Sequence, residues 1–127
     1  MRGQQLNLGQ PVRCVLRVSL CRERTFWGPG VAQLLHGIAE KHSLRASAQD
    51  MGMSYSKAWK IVHHAEHELG FPLVESVTGG AQGGGACLTR QAARLLPAYD
   101  AMVQELQKSQ QMAFQKHLAT ILEEELT

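Results

Sequence analysis

Apolar residues recur at intervals of three and four positions in three successive segments between residues 31 and 69. This spacing places them on one face of an α-helix. The first segment follows the turn sequence TFWGPG, where Pro29 suits the first turn of a helix, and extends to about Lys41. The pattern therefore predicts a first helix with the inward-facing residues Val31, Leu34, Leu35, Ile38 and Ala39.

Two further helices are predicted after short connections. Ser43 is a suitable N-cap for a helix over Leu44–Met51, which Gly52 should end. Ser54 can cap a longer helix that stops at Gly70. The inward positions of these two helices should be Leu44, Ala48 and Met51 in the shorter one, and Ala58, Ile61, Val62, Ala65 and Leu69 in the longer one.

Strands are predicted on both sides of this helical region. The β-branched, partly alternating segment Val12–Leu20 favours a strand, after a loose arm over residues 1–11. Leu73–Val77 and Ala86–Leu88 favour a hairpin, because five of the seven residues between 79 and 85 are glycine.

A long helix should follow Thr89, its expected N-cap, with a kink at Pro97. An apolar stripe resumes near the C-terminus at Ala113, Phe114, Leu118, Ile121 and Leu122. Little core remains for this stripe to cover, so it is predicted to pack against a second copy of the chain.

These elements together predict a mainly α fold with a small β-hairpin wing: a winged helix-turn-helix with a long C-terminal dimerisation helix. The predicted domain covers residues 12–106, and residues 107–127 form a helical extension. Ala48 should leave room for the crossing helix, and Gly52 should permit the turn between the helices.

Composition and charge agree with one globular domain whose two ends differ in charge. Residues 1–94 contain eleven Lys and Arg against six Asp and Glu, whereas the remainder contains two against five. A basic body suggests a polyanionic partner, and an acidic, apolar tail suggests a protein partner. The three cysteines lack CxxC spacing and are odd in number, and no apolar stretch suits a secretory signal or a membrane span, so a cytoplasmic protein without cofactor is expected.

The polar residues of the third predicted helix face away from its apolar seam. Residues near the start of such a helix meet base edges in a major groove, where hydroxyls can hydrogen-bond and lysines can bind phosphate or guanine. The candidate contacts to double-stranded DNA are Ser54, Tyr55, Ser56, Lys57, Lys60 and His63, with Arg45 and Arg90 as candidate phosphate contacts.

Several motifs resemble the N-terminal DNA-binding domain of the ModE family of molybdate-responsive transcription regulators: GPG at 28–30, MGMSYSKAW at 51–59, PLVE at 72–75 and TGGAQGGGACLT at 78–89. The LG-x-PL step at 69–73 is shared with LysR-type regulators. The resemblance implies a dimer built by the first and last helices, with the third helix in the major groove. It also implies a glycine-rich wing, whose candidate DNA contacts are Thr78, Gly79, Gly80 and Gln82.

Two departures from the family qualify this resemblance. Family wings place a basic residue near Ala81 or Gln82, and neither is charged here. Molybdate sensing in the family belongs to separate C-terminal domains, whereas this sequence ends at Thr127, so no molybdate binding is expected from this chain.

Other functional classes fit the residues less well. The uncharged wing tip and the acidic tail favour, as the alternative, a winged-helix protein-interaction module without DNA binding. His63 and His67 have the i, i+4 spacing of a metal chelate but lack an evident third ligand. No Lys accompanies the glycines as a phosphate loop requires, and no nucleophile–base pair stands out, so an enzyme is not expected.

Overall fold

The computed structural model describes residues 9–77 and 85–126. In chain order the elements are β1 (Leu20–Cys21), β2 (Thr25–Trp27), α1 (Pro29–Lys41), α2 (Leu44–Asp50), α3 (Tyr55–Leu69), β3 (Val74–Val77), β4 (Gly85–Leu88), α4 (Arg90–Phe114), a π-helical turn (Gln115–Ala119) and α5 (Thr120–Leu126). The chain divides into two compact units, Arg17–Ala101 and the described residues of Met1–Leu16 with those of Met102–Thr127. The mainly α winged helix-turn-helix predicted from the sequence is confirmed, with its hairpin and its long C-terminal helix.

The centre of the helix-turn-helix is a cluster of buried apolar side chains contributed by α1, α2 and α3. Its fully buried members are Leu34, Ala48, Ala58 and Val62. The predicted inward face of α3 is confirmed, because Ala58, Val62 and Ala65 are buried while Ile61 and Leu69 are half-buried. Small residues in this cluster let the three helix backbones approach closely, which fixes the rotation of α3 about its own axis.

Helices α1 and α2 approach each other closely at Gly37 and Ser47. The buried Ser47 hydroxyl donates a hydrogen bond to the Leu34 carbonyl oxygen at 2.8 Å. A Cβ atom on Gly37 would lie 2.8 Å from the Ser47 Cβ and 3.3 Å from its Cα, and still closer to its hydroxyl. A glycine is required at position 37 because the facing atoms include backbone.

The helix termini confirm the predicted caps. The Ser43 hydroxyl oxygen accepts the Ala46 amide at 3.0 Å, and that of Ser54 accepts the Lys57 amide at 3.1 Å. Gly52 adopts a positive φ of 67° in the turn between α2 and α3. Helix α1 ends at Lys41, and its C-cap residue, His42, takes the left-handed conformation without being glycine.

The predicted strand over Val12–Leu20 is wrong except for its last residue. Val12 and Val15 are 50% and 71% exposed, and residues 11–19 have no regular secondary structure. Thr25–Trp27, expected as part of a turn, instead forms β2, which pairs antiparallel with Leu20–Cys21. Burial decides the outcome, because Phe26 and Trp27 enter the core whereas Val12 and Val15 remain exposed.

Trp27 lies in the interior of the Arg17–Ala101 unit. Its ring is fully buried and meets Tyr99 edge to face, with ring centroids 5.6 Å apart. The Tyr99 hydroxyl donates to the Val18 carbonyl oxygen at 2.8 Å, and burial raises the pKa of this phenol. These contacts attach the segment before β1 to α4.

The hairpin that follows α3 pairs β3 with β4 in an antiparallel register from Val74↔Leu88 to Val77↔Gly85. The prediction placed both strands within one residue of these bounds, and residues 78–84 lie outside the described part of the chain. The Ala86 amide donates to the His42 carbonyl oxygen at 2.9 Å, so β4 is hydrogen-bonded to the end of α1. A Cβ on Gly85 would lie 2.7 Å from that same oxygen, which explains why a glycine lies there.

Glu66 joins α3 to the start of the hairpin. Its carboxylate oxygen Oε2 accepts the Leu73 amide at 2.7 Å and the Val74 amide at 3.2 Å. The Glu66 side chain is 15% exposed, so water competes little for these two amides. The start of β3 is therefore fixed relative to α3 by one carboxylate.

Thr89 anchors the other end of the hairpin and begins α4, as predicted. Its hydroxyl oxygen accepts the Ala92 amide at 3.1 Å, and its hydroxyl proton is donated to the Pro72 carbonyl oxygen at 2.7 Å. Helix α4 runs unbroken past Pro97. The helix buries Ala92, Leu96 and Tyr99.

The unit that contains Met102–Leu126 is helical over these residues and leaves many large apolar side chains exposed. Helix α4 changes to a π-helical turn at Gln115 before α5 begins at Thr120. Several of its large apolar side chains are 39–74% exposed: Met102, Leu106, Met112, Leu118, Ile121 and Leu126. In the same unit, the Gln110 amide nitrogen donates to the Cys14 carbonyl oxygen at 2.8 Å.

We predict that Gly37→Ala lowers the free energy of unfolding although alanine has the higher helix propensity. The methyl group would force α1 and α2 apart at Ser47, and such overpacking costs about 1 to 3 kcal/mol. Urea unfolding followed by circular dichroism measures the change. Gly30→Ala is the matched control in the same helix, because a Cβ there meets nothing within 4 Å. Equal stabilities of the two variants would contradict the close approach.

We predict that Glu66→Ala lowers the free energy of unfolding by about 1 to 3 kcal/mol, since two amides lose their acceptor. Glu66→Gln should lose less, because its carbonyl oxygen can still accept. Hydrogen exchange at the Leu73 and Val74 amides should accelerate in the alanine variant. The control is Glu68→Ala, whose carboxylate lies 4.0 Å from Arg22 at the surface. Unchanged exchange at both amides in Glu66→Ala would show that the carboxylate does not hold the hairpin.

Candidate nucleic-acid interface

The outer face of α3 presents polar and aromatic side chains to solvent. Tyr55 is 41% exposed, and Ser56, Lys57 and Lys60 are also exposed. The opposite face of the same helix is buried, so these side chains cannot turn inward without breaking the core. The structure therefore agrees with the outward orientation of Tyr55, Ser56 and Lys60 that the sequence predicts.

The start of α3 offers hydrogen-bond donors as well as side chains. Ser54 uses its hydroxyl oxygen to cap the helix, which leaves its hydroxyl proton free to donate. The first amides of the helix carry partial positive charge that favours an anion. Lys57, one turn after the cap, adds a full positive charge at the same end.

Arg45 and Tyr55 connect α2 to the start of α3. The guanidinium carbon of Arg45 lies 4.6 Å from the centroid of the Tyr55 ring. This cation–π contact orients the arginine on an exposed surface while its donors stay available. Of the two arginines predicted to bind phosphate, Arg45 is thus placed beside the polar face of α3.

His63 is paired with Trp59 one turn earlier on α3. Their rings stack with centroids 3.7 Å apart and an interplanar angle of 16°. The His63 Nδ1 atom is 2.9 Å from the Trp59 carbonyl oxygen, a hydrogen bond that requires the proton on Nδ1. The His63 Nε2 atom is 3.7 Å from a Glu66 carboxylate oxygen. His63 is therefore held by its own helix while its side chain remains 47% exposed.

A concave surface lies between the start of α2, the outer face of α3 and the hairpin. It has a volume of about 390 Å³. Of the predicted site residues, it brings together Arg45, Tyr55 and His63, with Trp59 between the last two. Its hairpin side is formed by Val74, Glu75, Ser76, Gly85 and Ala86.

The other predicted site residues are not part of this concavity. Ser54, Ser56, Lys57 and Lys60 lie on the exposed surface of α3 and its cap. Arg90 is the first residue of α4 and is exposed. Thr78, Gly79, Gly80 and Gln82 lie outside the described residues.

Two side chains that matter to this surface were not among the predicted site residues. Trp59 is 45% exposed and lines the same concavity as Tyr55, so it contributes to this surface. Glu66 lacks a recognisable signal in the sequence, because a helical glutamate ordinarily faces solvent. Glu66 precedes Leu73 by seven residues, and its carboxylate reaches the Leu73 amide because the chain turns at Gly70. The sequence alone does not show this turn-dependent contact.

Other kinds of site find little support in residues 9–77 and 85–126. No three His, Cys, Asp or Glu side chains in these ranges are close enough to hold a metal ion. No helix in the same ranges is long and apolar enough to cross a membrane.

Known proteins are similar to this chain in the region of the helix-turn-helix and the hairpin. Residues 32–93 match the family described as bacterial regulatory helix-turn-helix protein, lysR family. The chain is 39% identical over 88 residues to the DNA-binding transcriptional dual regulator ModE of Escherichia coli, covering 69% of this chain and 34% of that protein. It is 36% identical over 94 residues to the molybdenum-pterin-binding protein MopB of Rhodobacter capsulatus, covering 74% and 35% of the two chains.

The matched region is about a third of the length of these relatives. A solved structure, ArgP from Mycobacterium tuberculosis, is similar with a TM-score of 0.49 and 23% identity, over 72% of this chain and 31% of that one. The resemblance drawn from GPG, MGMSYSKAW, PLVE and the glycine-rich segment is confirmed by the relatives. The chain therefore carries a ModE-like N-terminal helix-turn-helix domain of the lysR type.

Proposed function

We propose that this protein is a sequence-specific regulator of transcription that binds double-stranded DNA as a homodimer and has no catalytic activity. The observation that carries the proposal is the outer face of α3, where Tyr55, Ser56, Lys57 and Lys60 are exposed on a helix whose other face is buried. Such a helix can enter a major groove with its first turns against the base edges. The relatives named as transcriptional regulators support the same function.

The distribution of charge supports DNA as the partner. Lys57, Lys60 and Arg45 are exposed at or beside the outer face of α3. Residues 71–89 contain Glu75 and no lysine or arginine, so positive charge on this side of the domain comes from the helices. We propose that Lys57, Lys60, Arg45 and Arg90 contact phosphates, and that Ser54, Tyr55, Ser56 and His63 lie at or near base edges.

The hairpin is proposed to act as the wing. Strands β3 and β4 flank the concavity beside α3, and the seven-residue connection between them contains four glycines among residues 78–84. Thr78, Gly79, Gly80 and Gln82 are uncharged, so any contact they make with DNA phosphates would be a hydrogen bond rather than an ion pair. Backbone amides of glycines can approach phosphates closely because no side chain intervenes.

The homodimer is proposed from the unit that contains Met102–Leu126. Its exposed apolar side chains include Met112, Leu118 and Ile121, which are 74%, 50% and 55% exposed, and exposed apolar surface favours association. Pairing with a second copy would cover them, and binding of both copies to one duplex would require two recognition helices about one DNA turn apart, about 34 Å. A two-fold symmetric operator would follow from that arrangement.

We predict that Lys57→Ala and Lys60→Ala each weaken duplex binding and flatten its dependence on salt. Each lost phosphate contact should lower the slope of log affinity against log salt by about 0.9. Selection of bound duplexes from a random pool supplies the probe, and fluorescence anisotropy between about 50 and 200 mM salt measures the slope.

Lys108→Ala is the control for these variants, because it removes the same charge from the part of α4 that belongs to the Met102–Leu126 unit. Its salt slope should equal that of the unsubstituted protein. An enriched duplex with a symmetric consensus is expected. If no duplex is enriched and the protein forms a stable complex with another protein, the DNA-binding proposal is wrong. The alternative, a winged-helix protein-interaction module without DNA binding, would then be supported.

We predict that Ile121→Glu weakens self-association by about tenfold or more, since a carboxylate would have to leave water at the interface. Light scattering across a concentration series measures the ratio of dimer to monomer. Gln115→Glu is the matched control, because it adds the same charge at an exposed polar position of the same unit. A dimer unaffected by Ile121→Glu would place the interface elsewhere.

A further inference from the structure

Trp59 is the largest side chain on the outer face of α3 and lacks an assigned role in the proposed contacts. Its indole is 45% exposed although Trp27, the other tryptophan, is fully buried in the core. Tyr55, one turn earlier on α3, is 41% exposed and lines the same concavity. The two rings stand at positions i and i+4 of α3 and both line this concavity.

The Trp59 ring is held in place before any partner arrives. The His63 imidazole stacks on it at 3.7 Å and is itself fixed by its hydrogen bond to the Trp59 carbonyl oxygen. The neighbouring Tyr55 ring is packed under Arg45. An aromatic side chain that is already ordered loses little conformational entropy when it binds, so its contact adds to affinity more fully.

The chemistry of an indole restricts what it can recognise on DNA. The ring is neutral and largely apolar, and its single N–H can donate one hydrogen bond but supplies no charge to a phosphate, so most of its surface is suited to apolar contact. In the major groove the apolar feature of a base pair is the C5-methyl group of thymine, which cytosine lacks. Trp59 lies within one turn of Tyr55, Ser56 and Lys60, the residues proposed to face the groove.

From this geometry we infer that Trp59 is a specificity-determining residue that contacts the C5-methyl group of a pyrimidine, ordinarily thymine, in each half of the binding site. The inference rests on the proposed function, because it requires α3 to enter the major groove. Lysines supply affinity for any sequence, whereas the indole distinguishes thymine from cytosine at one position.

The experiment replaces single thymines of the selected duplex with deoxyuridine, which removes the methyl group and keeps the base pairing. For the unsubstituted protein, one thymine in each half-site should show a loss of about fourfold on this change, the value of one buried methyl group. Trp59→Ala should bind the thymine duplex more weakly and show no further loss with deoxyuridine at that position. Its salt slope should be unchanged, because no charge is removed.

Two further arms connect the effect to the methyl group. A C·G pair at the critical position should bind more weakly than T·A, and 5-methylation of that cytosine should restore part of the difference. Trp59→Phe should retain a measurable deoxyuridine effect, since it keeps an apolar ring. Trp59→Gln, which keeps a long side chain without the ring, should behave like alanine and provides the test if the alanine variant folds poorly.

The outcomes separate this inference from the function on which it rests. A selected duplex that shows the same deoxyuridine response with tryptophan and with glutamine at position 59, or shows none at any thymine, overturns the role of Trp59 and leaves DNA binding intact. A selection that enriches no duplex overturns both. A loss of affinity in Trp59→Ala that is equal for thymine and deoxyuridine duplexes assigns the indole a structural role and contradicts the inference.

Discussion

The buried contact among Leu34, Ala48, Ala58 and Val62 is the constraint on which the outer surface depends. Three helices meet there through side chains small enough to bring their backbones together. Because Ala58 and Val62 point into this cluster, Ser56 and Lys60 lie on the opposite side of α3. Tyr55 and Trp59 lie at the flank of the buried face and remain 41% and 45% exposed. The identity of the exposed face is therefore decided in the core rather than at the surface, and enlarging a core residue would rotate or displace every proposed DNA contact together.

The hairpin depends on the same helices through a small number of polar contacts. Glu66 accepts the two amides at the start of β3, and the His42 carbonyl oxygen accepts the Ala86 amide of β4. Since each of these contacts joins the hairpin to the helical body, the two strands are held at both α1 and α3. The proposed wing thus takes its position from the helix ends, and the composition of its glycine-rich connection can vary without moving the strands.

The sequence predicted the helices and their caps because those signals are local. Ser43, Ser54 and Thr89 lie at helix starts, and the three- and four-residue spacing of apolar residues identifies the buried face of α3. The segment from Val12 was misassigned because a β-branched run forms a strand only where a pairing partner and a core are available, and Thr25–Trp27 pairs with Leu20–Cys21 instead. The Glu66 hydrogen bonds and the Gly37–Ser47 approach could not be predicted. Both are contacts between separate elements, and the spacing of residues along the chain does not show how those elements are placed relative to one another.

Charge and shape divide the proposed recognition between different residues of the same surface. With Glu75 as the charged residue of the segment from 71 to 89, the hairpin contributes no cation, so attraction to phosphate must come from Lys57, Lys60, Arg45 and Arg90. A contact between a cation and a phosphate carries no sequence information, and this holds for the lysines and for Arg45, which the Tyr55 ring orients. Discrimination between base pairs is then left to hydroxyls and to aromatic rings whose orientation is set before binding. The stack of His63 on Trp59 supplies that orientation from within one helix, so the indole needs no contact from the hairpin to remain in place.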